Sequence, residues 1–106
     1  MEKKSAHYPL HRIKAIVAEL GMACFTGSAR QGVAALGLTP QEALDVIAGL
    51  SRREFVKSMT TLNDHRVWQD VYNCETPTAK AYVKFTLTKP APENPTPRVV
   101  ISFKQL

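Results

Sequence analysis

The stretch 79-AKAYVKFTLT-88 decides the fold, because its apolar and polar residues alternate without exception. The odd-numbered positions are alanine, valine, phenylalanine and leucine, and the even-numbered ones are lysine, tyrosine and threonine. Successive side chains of a β-strand point to opposite faces of its sheet, so this period predicts a strand with one face on a core. The polar face of that strand carries Lys80, Tyr82 and Lys84.

The stretch 98–104 alternates in the same way and predicts a partner strand. Its apolar positions are valine, isoleucine and phenylalanine, and its polar positions include Arg98 and Lys104. The connection 89-KPAPENPTP-97 contains four prolines, which lack the amide proton that a sheet ladder requires. If the two strands pair antiparallel across this connection, Tyr82 lies opposite Lys104 on the polar face.

Two further strands are predicted, over 67–74 and 55–59, on either side of a turn at 62-LNDH-65. Asp64 is expected to cap this turn. We expect His65 to bond to the backbone or to polar groups beside the tryptophan, rather than to form an acid–base pair with Asp64.

The first half of the chain has the period of helices. Apolar residues recur at steps of three and four over 10–20, which predicts an amphipathic helix. Further helices are predicted over 28–37 and over 39–50, where Thr39 is the N-cap residue and Glu42 completes a capping box. The predictions also include a short strand at 22–25 and a buried side of the third helix formed by Leu44, Ile47 and Ala48.

The order of these elements predicts the fold class. Helices followed by a run of strands indicate an α+β fold, with N-terminal helices packed on one face of a C-terminal antiparallel β-sheet. A chain of 106 residues suffices for one modest core, so residues 1–106 are expected to form a single domain. No apolar run approaches the roughly 20 residues of a membrane span, and the polar N-terminus shows no secretory signal. We therefore expect a cytoplasmic protein that does not bind membranes.

The charge of the chain favours a polyanionic partner. The chain carries 14 lysines and arginines against 9 aspartates and glutamates, a formal net charge of +5. For a small domain, nucleic acid is the first candidate for such a partner. A basic surface that only aids solubility would give the same count, so net charge alone does not separate the two interpretations.

The cysteines and histidines argue against a metal or cofactor site. Cys24 and Cys74 form no CxxC pair and are expected to be reduced, partly buried thiols. His7 and His11 have a metal-ligand spacing, but Pro9 disfavours a continuous helix across it. We therefore expect no bound metal and no cofactor.

The polar face of the sheet collects three candidate RNA-binding cations, Lys80, Lys84 and Arg98, together with Tyr82. Cations neutralise phosphates, and an aromatic ring can stack on an unpaired base. The same pattern is typical of a solvated sheet face, on which lysine and threonine discourage edge pairing. The alternation alone favours the solvated face.

RNA cleavage is a reaction that these residue types can support. RNA supplies its own nucleophile, the 2′-hydroxyl beside the scissile phosphate, so internal transfer needs no metal. The protein must supply a base, a cation for the phosphorane and a proton donor for the departing 5′-oxygen. Clustered lysines can lower one another's pKa, Tyr82 can donate a proton or stack, and Gln69 can hold an oxygen. Together these groups are chemically sufficient.

Four short motifs resemble one known family: 55-FVKSMTT-61, 68-WQDVY-72, 82-YVKF-85 and 102-SFK-104. They are similar to the motility quorum-sensing regulator (MqsR-type) toxins, messenger-RNA interferases of type II toxin–antitoxin pairs with a RelE-like fold. The resemblance runs almost end to end. It implies a catalytic site formed by Lys57, Gln69, Tyr82 and Lys104.

Lys57 is identified as a candidate catalytic residue only by this resemblance. Strand alternation places it with Phe55 and Met59 on a core-like face, so we expect it at a strand end or edge. Val56 stands where the family pattern is expected to carry an aromatic residue. The missing aromatic ring could weaken base stacking and alter the preference for RNA sequence. The proline-rich connection 89–97 is longer than the family's usual one and could extend the RNA-binding surface or contact an antitoxin.

The resemblance also implies partners. These are a messenger-RNA substrate and a cognate antitoxin with a zinc-binding part and a DNA-binding helix-turn-helix. The zinc belongs to the antitoxin, and promoter DNA is bound only indirectly, through the toxin–antitoxin complex. The leading hypothesis is a metal-independent endoribonuclease toxin that leaves a 2′,3′-cyclic phosphate and a 5′-hydroxyl. The alternatives are a non-catalytic RNA- or DNA-binding module and a regulatory protein that docks a partner.

Overall fold

A computed structural model of the chain describes residues 1–89, 92–93, 95 and 97–106. Within them the chain forms three α-helices and a five-stranded antiparallel sheet, which confirms the predicted α+β class. The helices are α1 (Leu10–Leu20), α2 (Gly27–Ala35) and α3 (Pro40–Ala48). The strands are β1 (Glu2–Lys3), β2 (Phe55–Thr60), β3 (Trp68–Glu75), β4 (Lys80–Leu87) and β5 (Val99–Gln105). Pro90, Ala91, Asn94 and Thr96, in the proline-rich connection, lie outside the described residues.

Neighbours in the sheet follow the chain order, β1-β2-β3-β4-β5, and every pair is antiparallel. The predicted pairing of the last two strands is confirmed, because Tyr82 lies opposite Lys104. The amide of Thr88 donates to the carbonyl of Arg98 at 2.8 Å and closes this ladder. The short strand β1 was not predicted, since two residues are too few to show a period.

Glycine and a capping box set two helix boundaries, as the sequence predicts. α1 ends at Gly21, whose φ of 62° lies in the left-handed region that glycine adopts without strain. At the start of α3, the Thr39 hydroxyl accepts a hydrogen bond from the Glu42 amide at 3.1 Å. The Glu42 carboxylate accepts one from the Thr39 amide at 2.9 Å, which completes the capping box.

The predicted strand at 22–25 is wrong. Gly21–Cys24 form a 3-10 turn, and only Phe25 joins the sheet, through a single parallel bridge to Ile101. A short apolar run fits a buried turn as well as a strand, so its sequence cannot separate the two.

The helices cover one face of the sheet and form the core with it. In α3 the buried residues are Ala43 and Ile47, which lie four positions apart on one helix face, whereas the predicted Ala48 is exposed. Cys24 and Cys74 are free thiols, as predicted, but both are buried rather than partly buried. The predicted core positions of β4 and β5 are buried except Leu87, which is half-buried at the end of β4. The buried positions are Ala81, Val83, Phe85, Val99, Ile101 and Phe103.

The N-terminal segment folds back over β3 and is fixed there by a buried carboxylate. Asp70 is only 1% exposed and accepts hydrogen bonds from the amides of His7 and Tyr8, at 3.0 and 2.8 Å. The Tyr8 hydroxyl donates to the carbonyl of Trp68 at 2.9 Å. The His7 ring stacks on that tryptophan, with centroids 5.2 Å apart. This anchoring positions the residues of β1 that precede it.

The turn between β2 and β3 is closed by Asp64, as predicted. Its carboxylate accepts hydrogen bonds from the backbone amide and the guanidinium of Arg66, at 2.9 and 3.0 Å. His65 is exposed, and the histidine beside Trp68 is His7. The sequence could not show this, because His7 reaches the tryptophan through the fold of the N-terminal segment.

Candidate active site on the open face of the sheet

The face of the sheet that points away from the helices, which we call the open face, holds the candidate site. The pairing register of the strands determines which residues lie on this face. Tyr82 lies opposite Asn73 on β3 and Lys104 on β5. Two residues further along β4, Lys84 lies opposite Val71. The open face carries all four residues that the family resemblance implies: Lys57, Gln69, Tyr82 and Lys104.

Lys57 reaches the open face through a β-bulge in β2. Phe55 pairs with Tyr72 and Lys57 with Val71, so Val56 is an extra residue in the ladder. The Phe55 ring packs edge-to-face against Tyr72 on the helix side, with centroids 5.5 Å apart. The bulge resets the alternation, so the prediction that Lys57 shares a face with Phe55 is wrong. Lys57 is paired only on its β3 side, as expected at an edge, because β1 ends at Lys3, opposite Ser58.

Lys57 forms an ion pair with Glu2, a residue that sequence analysis missed. The Lys57 Nζ lies 2.8 Å from the Glu2 Oε1, and Glu2 belongs to β1, opposite Met59. The hydrogen bond to Glu2 and the charge of its carboxylate raise the pKa of Lys57. In return, the hydrogen bond and charge of Lys57 hold the pKa of Glu2 below its usual value. The ion pair therefore favours the charged form of Lys57.

Two lysines flank the Tyr82 ring. The Lys104 Nζ lies 5.1 Å from the ring centroid and the Lys84 Nζ lies 6.0 Å from it. Both distances are within the range of cation–π attraction. Burial lowers the pKa of Lys84, and the nearby charge of Lys104 lowers it further. The predicted lowering of a lysine pKa by a neighbouring lysine thus occurs at Lys84.

An open cleft of about 660 Å³ lies beside this cluster. Gln69 and Lys84 line it together with Glu2 and Met59, and the turn after β2 closes one side with Asn63. The cleft therefore combines a cation, a carboxylate, amides and a thioether. Such groups can contact a phosphate, a ribose hydroxyl and a base edge.

The three predicted RNA-binding cations occupy different positions. Lys84 belongs to the cluster around Tyr82. Lys80 lies at the start of β4, 67% exposed, with its Nζ 3.8 Å from Glu75. Arg98 lies opposite Thr88 at the other end of β5, about 20 Å from Lys104 at 3.3 Å per residue.

The charge of Arg98 also bears on a buried residue of the helix side, Cys24. Burial raises the pKa of the Cys24 thiol, and the positive charge of Arg98 opposes that rise. The structure therefore brings Lys84 to the candidate site, places Lys80 at its margin and leaves Arg98 apart from it.

Within the ranges that the structure describes, no group of three or more histidine, cysteine, aspartate or glutamate side chains could hold a metal ion. The His7 Nδ1 instead lies 2.8 Å from the Lys3 Nζ, which itself lies 4.3 Å from the centroid of the Trp68 ring. In the same ranges, no helix is long and apolar enough to cross a membrane.

Comparison with known proteins identifies the family. The family model of the motility quorum-sensing regulator, described as the toxin of MqsA, matches residues 5–105. The chain is also 37% identical to the mRNA interferase toxin MqsR of Escherichia coli (strain K12) over 105 residues, which cover 99% of each chain. The family model spans the three helices, the bulged strand β2 and strands β3 to β5. The chain therefore belongs to the motility quorum-sensing regulator family of toxins.

Proposed function

We propose that the protein is the toxin of a type II toxin–antitoxin pair and acts as an endoribonuclease on messenger RNA. The observation that carries this proposal is the convergence of three lysines, Tyr82 and Gln69 on one face of the sheet, beside an open cleft. The printed name of the Escherichia coli relative, an mRNA interferase toxin, supports the same activity. Since messenger RNA is the substrate, the protein would act in the cytoplasm.

The proposed reaction is metal-independent attack of the 2′-hydroxyl on the adjacent phosphorus. The new bond closes a 2′,3′-cyclic phosphate, and the bond from phosphorus to the 5′-oxygen breaks. Lys57 and Lys104 would stabilise the charge of the phosphorane, and Gln69 would orient a phosphate oxygen. Tyr82 would donate a proton to the departing 5′-oxygen or contact a base. Because the Glu2 pair keeps Lys57 protonated, Lys57 is assigned as a cation only.

The remaining basic residues would extend the RNA-binding surface. Lys80 and Lys84 lie on the same face as Tyr82 and would hold phosphates next to the reacting one. Arg98, at the far end of the sheet, would meet only a longer RNA. Val56 is 43% exposed in the bulge before Lys57, where a bulkier side chain could contact a base.

The proposed partner is a cognate antitoxin made with the toxin. The family description, toxin of MqsA, names the toxin by reference to a second protein, which supports a dedicated protein partner. We propose that this partner carries a zinc-binding part and a helix-turn-helix. Promoter DNA would then be bound through the complex and not by the toxin itself.

Primer extension on a naked messenger RNA tests the proposed activity. The purified protein is incubated with the transcript in EDTA, and new 5′ ends are mapped. We expect discrete cuts that disappear with Lys57→Ala and Tyr82→Ala. The matched control is Arg12→Ala, which removes an exposed cation from α1 on the opposite side of the sheet. RNA that is bound but not cut by a folded protein would instead support a non-catalytic binding module.

A further inference from the structure

The lysine cluster, which comprises Lys57, Lys84 and Lys104, supplies mainly cations. Burial and the charge of Lys104 lower the pKa of Lys84, which makes Lys84 the competing candidate for the base. A lysine with an ordinary pKa near 10.5 is deprotonated in only roughly 3 of 10,000 molecules at pH 7. Lys57 is poorer still, because its ion pair with Glu2 stabilises the charged form. The 2′-hydroxyl must nevertheless lose its proton as it attacks phosphorus. A carboxylate is fully ionised at this pH and would be available in every molecule.

Glu2 places such a carboxylate at the cluster. Its Oε1 contacts the Lys57 Nζ at 2.8 Å, and its side chain lines the same cleft as Gln69 and Lys84. The side chain is 62% exposed, so one carboxylate oxygen is open to a bound RNA. A 2′-hydroxyl in the cleft would therefore find Glu2 beside the cation assigned to the phosphorane.

The backbone on both sides of Glu2 is fixed. The Met1 ammonium donates to the Thr60 hydroxyl at 2.9 Å, and the Thr60 amide donates to the Met1 carbonyl at 2.9 Å. On the other side, Lys3 pairs with Ser58. These contacts hold the carboxylate at a defined place over β2, as a group that accepts a proton requires.

We propose that Glu2 is the general base of the reaction, a role that rests on the proposed ribonuclease function. The carboxylate takes the proton of the 2′-hydroxyl while the 2′-oxygen forms its bond to phosphorus. The electron pair of the breaking bond goes to the 5′-oxygen, which receives a proton from Tyr82 or a lysine of the cluster. Glu2 then gives its proton to water, and the group that protonated the 5′-oxygen takes one from water, so the cycle needs no metal, oxidant or second reactant.

The charged groups near Glu2 are cationic. They come from β2 through Lys57, from its own segment through the Met1 ammonium and Lys4, and from β4 through Lys84. Lys57 has the largest effect and favours the ionised carboxylate. Activity that depends on Glu2 is therefore retained at mildly acidic pH and falls only as this carboxylate becomes protonated.

The test is Glu2→Gln, measured as initial cleavage rates in EDTA from pH 4 to pH 9 at saturating RNA. Removing a general base lowers the maximal rate by about 100-fold or more. The acidic limb of the pH profile should disappear, and RNA affinity should stay equal or increase because a negative charge is lost. The matched control is Glu75→Gln, which neutralises another exposed carboxylate of the open face, paired with Lys80. Its rate and pH profile should match those of the unmodified protein.

Two results would overturn the proposal. One is a Glu2→Gln rate within threefold of the unmodified protein; the other is a slow variant that keeps the acidic limb. Glu2→Asp retains a carboxylate and should keep both the limb and part of the activity, which separates chemistry from folding. If the unmodified protein makes no cuts in EDTA, the proposed function itself fails. Cuts that survive Glu2→Gln refute only the role of Glu2.

Discussion

Lys84 differs from the other candidate RNA-binding cations in its surroundings. It is half-buried at the centre of the open face, between Val71 and Ser102 in neighbouring strands, and its ammonium approaches the Tyr82 ring. A charge in such a position is only partly screened by solvent. Lys84 should therefore act on the scissile phosphate or one directly beside it, whereas Arg98 can act only on distant nucleotides.

Lys84→Gln should lower kcat/KM more than tenfold on a short RNA that spans one mapped cut. Arg98→Gln should change the same value less than about threefold and weaken the binding of a long transcript instead. The measurement is cleavage kinetics on the two RNA lengths at several salt concentrations. Each lost phosphate contact should reduce the slope of log affinity against log salt by about 0.7. Equal losses for both variants on the short RNA would refute this assignment.

The positions of individual candidate residues were predictable where strand alternation was regular. Tyr82 and Lys104 lie in unbroken strands, so a period of two placed them correctly on one face. Lys57 follows a bulge, and nothing in its neighbours marks Val56 as the extra residue. Glu2 could not be found because its strand has two residues and pairs with β2 across more than fifty positions.

At the scale of elements, α2 and β5 approach closely because of one glycine. A Cβ on Gly32 would overlap the carbonyl oxygen of Phe103, the residue before Lys104. Gly32→Ala should therefore push α2 away from the sheet and lower the free energy of unfolding by about 1–3 kcal/mol. Cleavage should also fall, because the strand that carries Lys104 moves. Chemical unfolding and initial rates measure the two effects.

Gly27→Ala is the matched control for this prediction. Gly27 begins the same helix, and nothing lies within 4 Å of a Cβ at that position. This variant should keep its stability to within about 0.5 kcal/mol. If both variants are equally stable, close packing of α2 on β5 does not position the C-terminal strand.

The N-terminal segment affects both the stability of the fold and the position of the proposed base, Glu2. Asp70→Ala leaves the amides of His7 and Tyr8 without their partner, at a cost of about 2 kcal/mol for bonds to a charged group. Because this anchor precedes α1 and holds β1 in place, the Thr60 amide should also exchange its hydrogen faster. Hydrogen exchange by NMR and urea unfolding check the two expectations.

Asp64→Ala is a suitable comparison, since it removes a carboxylate that bonds within an exposed turn. It should leave exchange at Thr60 unchanged. Unchanged exchange in Asp70→Ala would show that β1 is held by its own ladder alone, through Glu2 and Lys3.

In the molecule as a whole, the two faces of one sheet have different roles. The helix side contains the apolar core, and the open face carries the lysines, in line with the net charge of +5. Order and type of the main elements followed from sequence because periods of 3.6 and 2 persist over whole helices and strands. The junctions between them, a bulge and a 3-10 turn, depend on contacts between distant residues and were not predictable.

Buried acids, chiefly Cys74 and Tyr72, make the stability of the whole molecule sensitive to alkaline pH. Burial raises the pKa of Cys74 from 9.0 to about 11, and that of Tyr72 from 10.0 to about 12. Above pH 9 the unfolded chain begins to release these protons while the folded chain keeps them, so stability falls as pH rises. Each group should account for about 2–3 kcal/mol once pH passes its folded-state value.

Unfolding by urea between pH 8 and pH 11 measures this loss, and Cys74→Ala identifies its source. The variant should start less stable at pH 8, because it leaves a small cavity. Between pH 9 and pH 10 its stability should then fall less steeply than that of the unmodified protein, because Cys24 is the thiol that still loses its proton on unfolding. A further loss follows as Tyr72 ionises in the unfolded chain. Since both side chains lie on the helix side of the sheet, cleavage at pH 8 should persist in the variant. Parallel pH profiles for the two proteins would show that Cys74 is not the group that titrates.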